Sequence, residues 1–110
     1  MSKRDIHVSG SKEFETFYRS LSDKDELKRH IDEAMDSLKE DLDIGNKIEK
    51  RLWPKKYIKK YCINNLYRYS LGSNWRMIYT IVSDGKVITC AILEVIPHKD
   101  YDKLFGYKTT

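Results

Sequence analysis

Residues 66–82 read LYRYSLGSNWRMIYTIV, and apolar and polar side chains tend to alternate on both sides of the glycine. Alternation with a period of two is typical of β-strands, and Gly72-Ser73-Asn74 has the composition of a turn. We therefore expect a strand over Leu66–Leu71, a turn at 72–74 and a second strand over Trp75–Val82. This hairpin is the element around which the rest of the chain can be arranged.

The chain after the hairpin should add a third strand. Ser83-Asp84-Gly85 is typical of a hairpin turn, because Asp-Gly tolerates the positive φ that such turns require. A strand is then expected over Lys86–Ile96, with Pro97 closing it. A short strand at Asp5–Ser9 should join the same sheet, since a lone short strand is unstable. Residues 99–105 are expected to form one short helical turn.

Two helices are predicted between the first strand and the hairpin. Ser9-Gly10-Ser11 offers a turn and the N-cap of the first helix, whose apolar face consists of Phe14, Phe17, Tyr18 and Leu21. The second is capped by Ser22 or Asp23 and runs to about Asp43. Its apolar stripe has helical spacing over Leu27, Ile31, Ala34, Met35, Leu38 and Leu42. Two antiparallel helices of this kind need a sheet to cover.

These elements predict one α+β domain over residues 1–110 with the order β-α-α-β-β-β. The helical hairpin should pack on one face of a mainly antiparallel four-stranded sheet and leave the other face open. Pro54 breaks any helix through its neighbourhood, so residues 50–63 are expected to be loop or irregular strand.

Charge is distributed unevenly along the chain. The net charge is +4, but residues 1–50 carry −3 (10 Lys and Arg against 13 Asp and Glu) and residues 51–110 carry +7 (11 against 4). Residues 50–83 contain eight basic residues, no acidic residue and seven Trp or Tyr residues. Basic charge attracts phosphate and exposed rings stack on bases, so the pattern favours a polyanionic partner, RNA first. The alternative, that charge merely follows helix content, stays open.

Other classes of protein find little support in the sequence. No apolar run approaches the ~20 residues of a membrane span, and residues 1–4 are not followed by the apolar stretch of a secretory leader. Cys62 and Cys90 have no CxxC spacing and are expected to be reduced thiols. The three histidines form no metal-ligand pattern, and no glycine-rich phosphate loop is present. We expect a cytoplasmic protein with no membrane association, no metal and no cofactor.

The hairpin should also bring two arginines together. If its loop is centred on Gly72, Arg68 lies directly across from Arg76, with the Cβ atoms about 5 Å apart. Two like charges at that distance favour a bound phosphate between them. Two solvated surface arginines are the alternative, and an even-numbered loop would separate the pair.

A histidine should lie close to the same arginines. If the Asp-Gly dipeptide forms a two-residue turn, Arg76 pairs with Leu93 and Trp75 with Glu94. His98 then follows the third strand near the start of the second, within reach of Arg76. The alternative is a loop histidine without a role. Arg, Lys, His and Tyr side chains suit metal-free RNA cleavage, because RNA supplies its own 2′-OH nucleophile and needs only proton transfer and charge stabilisation.

Two segments resemble the RelE/ParE superfamily, the toxin components of type II toxin–antitoxin systems. Tyr67-Arg68-Tyr69-Ser70-Leu71-Gly72-Ser73-Asn74-Trp75-Arg76-Met77-Ile78-Tyr79 is similar to the family's hairpin, in which an aromatic-Arg pair stands on each side of a glycine and a Tyr follows. Ile96-Pro97-His98-Lys99-Asp100-Tyr101 resembles the family's C-terminal ending of His, a basic residue and Tyr. The predicted order of elements is also the family's, and the likeness covers nearly the whole chain.

RelE-like members are ribosome-dependent endoribonucleases that cut mRNA in the A site, and the resemblance implies matching roles here. Arg76 would stabilise the phosphate, Arg68 would bind the RNA backbone or shape the site, and His98 would be a catalytic or basic residue. Tyr101 would stack on or orient the substrate. The RNA-contacting lysines would be Lys55, Lys56, Lys59, Lys60 and Lys99.

The resemblance leaves the general base and the target open. Glu49 and Glu94 are the only nearby candidates for the acidic residue that some members use as a base. ParE-like members share the fold but poison DNA gyrase without cutting RNA, and an inactive RNA-binding relative is a further alternative. The implied partners are an acidic antitoxin, the ribosome and mRNA, and the family also allows a homodimer.

Overall fold

The computed structural model describes residues 5–106, which form five β-strands and four α-helices. The strands are β1 (Asp5–Gly10), β2 (Asn46–Lys47), β3 (Tyr67–Leu71), β4 (Trp75–Asp84) and β5 (Val87–Pro97). The helices are α1 (Lys12–Ser20), α2 (Glu26–Glu40), α3 (Lys55–Tyr61) and α4 (His98–Leu104). The expectation about a leader concerns residues 1–4, which lie outside the described residues.

The five strands form one mixed sheet in the order β1-β5-β4-β3-β2. β1 is parallel to β5, and the other neighbours are antiparallel. The predicted three-stranded meander and the entry of the N-terminal strand into the same sheet are confirmed. The predicted count of four strands is wrong, because β2 adds a short edge strand beside β3. Two residues are too few to produce a periodic pattern in a sequence.

α1 and α2 cover one face of the sheet, as predicted. Ser11 caps α1, and its Oγ accepts a hydrogen bond from the Phe14 N–H at 3.0 Å. The predicted α2 cap at Ser22 or Asp23 is wrong, because the connection between the helices is five residues long and Asp25 is the cap. The first hydrophobic cluster buries Phe14, Leu27, Ile31, Ala34, Leu38, Leu71, Met77, Tyr79, Cys90, Ile92 and Val95.

The opposite face of the sheet, expected to be open, is partly covered by α3 and α4. The predicted loop or irregular strand at 50–63 is therefore wrong for Lys55–Tyr61, which form α3. Pro54 does interrupt the chain, but it stands at the N-cap of α3, where its missing N–H removes no helical hydrogen bond. Beyond it, Tyr57 and Tyr61 share one side of the helix four residues apart. The second hydrophobic cluster buries Ile48, Tyr57, Leu66, Ile78, Leu93, Tyr101 and Phe105.

The β3–β4 turn has the predicted residues, but its centre differs from the assumed one. It comprises Gly72-Ser73-Asn74 and is centred on Ser73. Arg68 therefore pairs with Ile78, and Arg76 pairs with Ser70. The predicted direct opposition of Arg68 and Arg76 is wrong, because moving the loop centre by one residue shifts every pair in the hairpin by two.

The β4–β5 hairpin also has a different register. Its turn lies at Gly85-Lys86, and the ladder is irregular further along, where β5 gains a residue at Leu93 relative to β4. The predicted pairs Arg76–Leu93 and Trp75–Glu94 are therefore wrong. The observed pairs are Arg76 with Ile96, Trp75 with Pro97 and Ile78 with Glu94.

Candidate functional site

Both hairpin arginines project from the sheet face toward α3 and α4. Arg68 pairs with Ile78, and Ile78 with Glu94. Paired residues of neighbouring strands share a face. Arg76 lies two residues from Ile78 along β4, so it shares that face too. Because Ile78 is buried in the second cluster, this is the partly covered face. We name this side of β3, β4 and β5, with Arg68, Arg76 and Glu94, the arginine face.

Arg68 and Arg76 are diagonal neighbours on the arginine face. Diagonal residues lie about 7–8 Å apart, with their Cβ atoms somewhat closer, which is within reach of long side chains. This spacing reduces the repulsion of the two charges and still lets both guanidinium groups approach one phosphate. Arg76 is half-buried, and its Nη1 donates a hydrogen bond to the Trp75 carbonyl oxygen at 3.0 Å. The arrangement suits an anion-binding site.

Tyr101 of α4 lies against Arg68. Nη1 of Arg68 donates a hydrogen bond to the Tyr101 hydroxyl oxygen at 2.9 Å, and the centre of the guanidinium lies 5.6 Å from the centre of the ring. Tyr101 is 1% exposed and stacks on Phe105, with 4.5 Å between the ring centres. In this conformation the ring holds Arg68, so the base-stacking role that the resemblance implies stays a prediction.

His98 stands at the start of α4, next to the start of β4. Its backbone N–H donates to the Asn74 carbonyl oxygen at 2.7 Å, which joins α4 to the β3–β4 loop. The predicted proximity of His98 to the start of the second hairpin strand is confirmed. The imidazole is 46% exposed, and its Nε2 lies 3.3 Å from Asp102 Oδ2. A carboxylate in that position can orient the ring.

α3 divides the predicted RNA-binding lysines into two pairs. Lys56 Nζ lies 3.1 Å from Glu94 Oε1, and Lys60 Nζ lies 2.7 Å from Glu13 Oε2. Both lysines thus anchor α3 to the rest of the protein. Lys55 and Lys59 are exposed and have no ion pair within residues 5–106, and Lys99 on α4 is likewise exposed. Lys55, Lys59 and Lys99 therefore suit phosphate binding better than the ion-paired Lys56 and Lys60 do.

The anchoring contacts at the C-terminal end of α3 shift two pKa values. Hydrogen bonds from Lys60 and then Tyr61 lower the pKa of the Glu13 carboxyl to about 2. Burial, followed by the hydrogen bond to Glu13, raises the pKa of the Tyr61 hydroxyl to about 12. The Tyr61 hydroxyl donates to Glu13 Oε1 at 2.5 Å. Glu13 is therefore ionised at neutral pH and accepts two hydrogen bonds from α3.

A second anchor lies at the N-terminal end of α3. Lys56 follows the same pattern as Lys60: it pairs with a carboxylate and lies over the ring of the next residue, 5.1 Å from the Tyr57 ring centre. Burial and the neighbouring Glu94 carboxylate raise the pKa of Tyr57 far above its usual value. The sequence Lys-Lys-Tyr-Ile-Lys-Lys-Tyr thus contains two Lys-Tyr pairs, each directed at one carboxylate.

The two base candidates occupy different places. Glu94 lies on the arginine face, diagonal to Arg76, whereas Glu49 lies beside β2 and pairs with Arg51, 2.7 Å from its Nε. Sequence reasoning missed the position of Glu94, because the predicted ladder, with its turn at Asp84-Gly85 and no extra residue, pairs Glu94 with Trp75 on the opposite face. An extra residue in β5 leaves no clear signal in a single sequence.

The cysteines contribute little chemistry to this surface. Cys90 is fully buried in the first cluster, and burial raises the pKa of its thiol to about 12, so the nucleophilic thiolate is scarce. Cys62 is exposed and ends α3 with φ of 51°.

Within residues 5–106 no three His, Cys, Asp or Glu side chains are grouped as a metal site would need. No described helix is long and apolar enough to span a bilayer.

The architecture defines a class of fold: a helical hairpin packed on one face of a five-stranded mixed sheet. No family model and no curated protein sequence matches the chain. A solved structure does, "The structure of YoeB dimer from Staphylococcus aureus", with a TM-score of 0.52 and 16% identity. The match covers 79% of this chain and 92% of the YoeB chain. The likeness supports a RelE-like fold, and at this identity it concerns the fold alone.

Proposed function

We propose that this protein is the toxin of a toxin–antitoxin pair and cleaves ribosome-bound mRNA. The observation that carries the proposal is the arginine face: two arginines on neighbouring strands, with His98 beside the loop that joins these strands. The fold likeness to YoeB supports the toxin part of the proposal, and the cleavage chemistry is proposed from the site residues.

In the proposed reaction the RNA 2′-OH attacks the adjacent phosphorus, and the bond to the 5′ oxygen breaks. Arg76 stabilises the charge that develops on the phosphorane, because a guanidinium can hold two phosphate oxygens at once. Arg68, held by Tyr101, binds the neighbouring backbone. His98 protonates the leaving 5′ oxygen. Glu94 is favoured over Glu49 as the acceptor of the 2′-OH proton, because it lies beside Arg76.

The remaining partners follow from charge. Lys55, Lys59 and Lys99 would meet RNA phosphates at the rim of the site. Residues 51–110 carry +7, so the antitoxin should be an acidic chain, and its binding should weaken as salt rises.

The chemistry requires no metal and no cofactor, since the nucleophile comes from the RNA. Action on ribosomes would place the protein in the cytoplasm, and a homodimer is proposed by analogy with the YoeB dimer.

The test is cleavage of a defined mRNA on purified ribosomes, with the fragment ends mapped. The proposal expects cuts that require ribosomes, leave a 2′,3′-cyclic or 3′-phosphate end, and disappear in Arg76→Ala. A parallel assay of gyrase supercoiling addresses the ParE-like alternative. Inhibition of gyrase with intact mRNA would replace the nuclease proposal, and RNA binding with neither effect would identify an inactive RNA-binding relative.

A further inference from the structure

A cavity of about 420 Å³ lies at the sheet edge beside β2. Ile48, which is 2% exposed, and the half-buried Trp53 supply its apolar part. Exposed polar side chains surround it. The residues that line it are Lys47, Ile48, Glu49, Lys50, Trp53 and Asn64.

The indole of Trp53 is held in place within this cavity. Its Nε1 donates a hydrogen bond to the Ile48 carbonyl oxygen at 2.9 Å, and the ring packs against the second cluster. A ring that is already ordered loses little conformational freedom when a flat partner stacks on it. Base–aromatic stacking of this kind is tolerant of base identity.

The charge around the cavity is positive. Lys47 and Lys50 are exposed and have no ion pair in the described part of the chain. The Glu49 carboxylate is compensated by Arg51, whose Nε lies 2.7 Å from Oε2. The two lysines can therefore bind phosphate groups on either side of a stacked ring.

The cavity also continues the arginine face along the chain. Asn46 pairs with Arg68, and the Ile48 N–H donates to the Leu66 carbonyl oxygen at 2.9 Å. Leu66 is two residues before Arg68, so the cavity begins about 7 Å from Arg68, towards the start of β3. An extended RNA strand bound at Arg68 could place a neighbouring nucleotide in it.

We propose that this cavity is a subsite for one unpaired nucleobase of the RNA, stacked on Trp53 with its flanking phosphates on Lys47 and Lys50. This inference rests on the proposed RNA substrate and adds a binding position outside the point of cleavage. Asn64 Oδ1 accepts a hydrogen bond from Asn65 Nδ2 at 2.8 Å, so the Asn64 amide nitrogen is the donor that remains. Asn64 would therefore favour a base edge that carries an acceptor.

The experiment uses Trp53 as its own reporter. The chain has two tryptophans, so Trp75→Phe leaves Trp53 as the only one. This variant is titrated with a 2′-O-methyl RNA octamer, which binds but cannot be cleaved because its 2′ oxygen is blocked. We expect quenching of Trp53 fluorescence. Trp53→Ala should weaken binding about 5- to 150-fold, and Trp53→Phe should retain most of the affinity.

A double variant tests the phosphate contacts without disturbing the packing of the protein. Lys47→Gln combined with Lys50→Gln changes only exposed side chains, and it should lower the salt slope of octamer binding by about 0.7 for each lost phosphate contact. The matched control is Lys24→Gln combined with Lys39→Gln, at exposed positions before and near the end of α2. Octamer binding with neither quenching nor a change of slope would overturn the subsite.

The subsite and the nuclease activity can fail separately. Ribosomal mRNA cleavage by the parent together with silent Trp53 fluorescence would reject only the subsite. Quenching and a reduced slope without any mRNA cleavage would keep the subsite and reject the nuclease.

Discussion

Arg68 is bound to Tyr101 in two ways, through the 2.9 Å hydrogen bond to the hydroxyl oxygen and through the ring beneath its guanidinium. The two residues come from opposite parts of the fold, β3 and α4, so the contact also fixes α4 on the sheet. A buried tyrosine in this place orients a cation that faces the surface. Tyr101 is therefore a positioning residue for Arg68 in the proposed reaction.

Removing only the Tyr101 hydroxyl should slow mRNA cleavage and leave the fold intact. A hydrogen bond to a charged group contributes about 1.5–3 kcal/mol, so Tyr101→Phe should lower the rate by roughly 10- to 150-fold. The ring still packs on Phe105, and the melting temperature should stay within a few degrees of the parent. Tyr67→Phe, in the first cluster on the other face, is the matched control. Parental cleavage rates in Tyr101→Phe would show that Arg68 needs no such orientation.

Arg76 should be required for catalysis far more than for folding. It is half-buried, and among the described residues its side chain donates a hydrogen bond to the carbonyl oxygen of its neighbour Trp75, so its loss disturbs little packing. Loss of one group that stabilises transition-state charge costs about 100- to 1000-fold in rate. Arg76→Ala should therefore relieve growth arrest and melt close to the parent, while Arg19→Ala on exposed α1 changes neither property. An unfolded Arg76→Ala protein would make the residue structural and place the site elsewhere.

The two lysine pairs of α3 should give opposite results. Lys55→Gln with Lys59→Gln removes exposed charges and should lower the salt slope of RNA binding by about 0.7 for each phosphate contact, without a change in melting temperature. Lys56→Gln with Lys60→Gln removes both anchors and should lower the melting temperature instead. Salt-dependent binding and thermal melting of the two double variants make a direct comparison. Equal effects on RNA binding would mean that the anchoring pair also contacts RNA.

Glu94 can be tested as a base by the pH dependence of cleavage. Glu94→Gln keeps the shape of the side chain but cannot accept the 2′-OH proton, so the rate should fall by about 100-fold or more. The acidic limb of the pH–rate profile should disappear with it. Lys56→Gln breaks the same ion pair without removing the carboxylate, and its profile should keep that limb. If the two variants behave alike, Glu94 acts only by anchoring α3.

The elements that sequence reasoning could predict are those with a repeating local pattern. The alternation around Gly72 and the helical spacing from Leu27 to Leu38 each extend over many residues, so the meander and α2 were foreseeable. α3 is only seven residues long and follows Pro54. The proline was therefore interpreted as a helix breaker, although it marks the start of a helix. Short elements depend on tertiary packing, which a local pattern does not contain.

The candidate site was likewise predictable only in part. Arg68 and Arg76 share a face, as expected, because a shift by two residues keeps the parity of a strand. The register was not predictable, since it depends on the loop centre and on the extra residue at Leu93. That single residue brings Glu94 to the arginine face. The division of the α3 lysines likewise depends on Glu13, which is distant in sequence.

The anchor at Glu13 should make the stability of the protein depend on acid pH. The folded-state pKa of about 2 lies below the ordinary value of 4.5, so folding favours the ionised form. Its contribution is fully present above about pH 4.5 and is lost as the pH falls through about 2.

Glu13→Gln removes this contribution. The difference in melting temperature between parent and variant should be constant from pH 7 to about pH 5 and should shrink steadily towards pH 2. Glu15→Gln, at an exposed acid in the same turn of α1, is the control for removing one carboxylate from this turn. A difference that stays constant down to pH 2 would mean that Lys60 and Tyr61 do not hold Glu13 in solution, and α3 would then depend on the Lys56–Glu94 pair and Tyr57 alone.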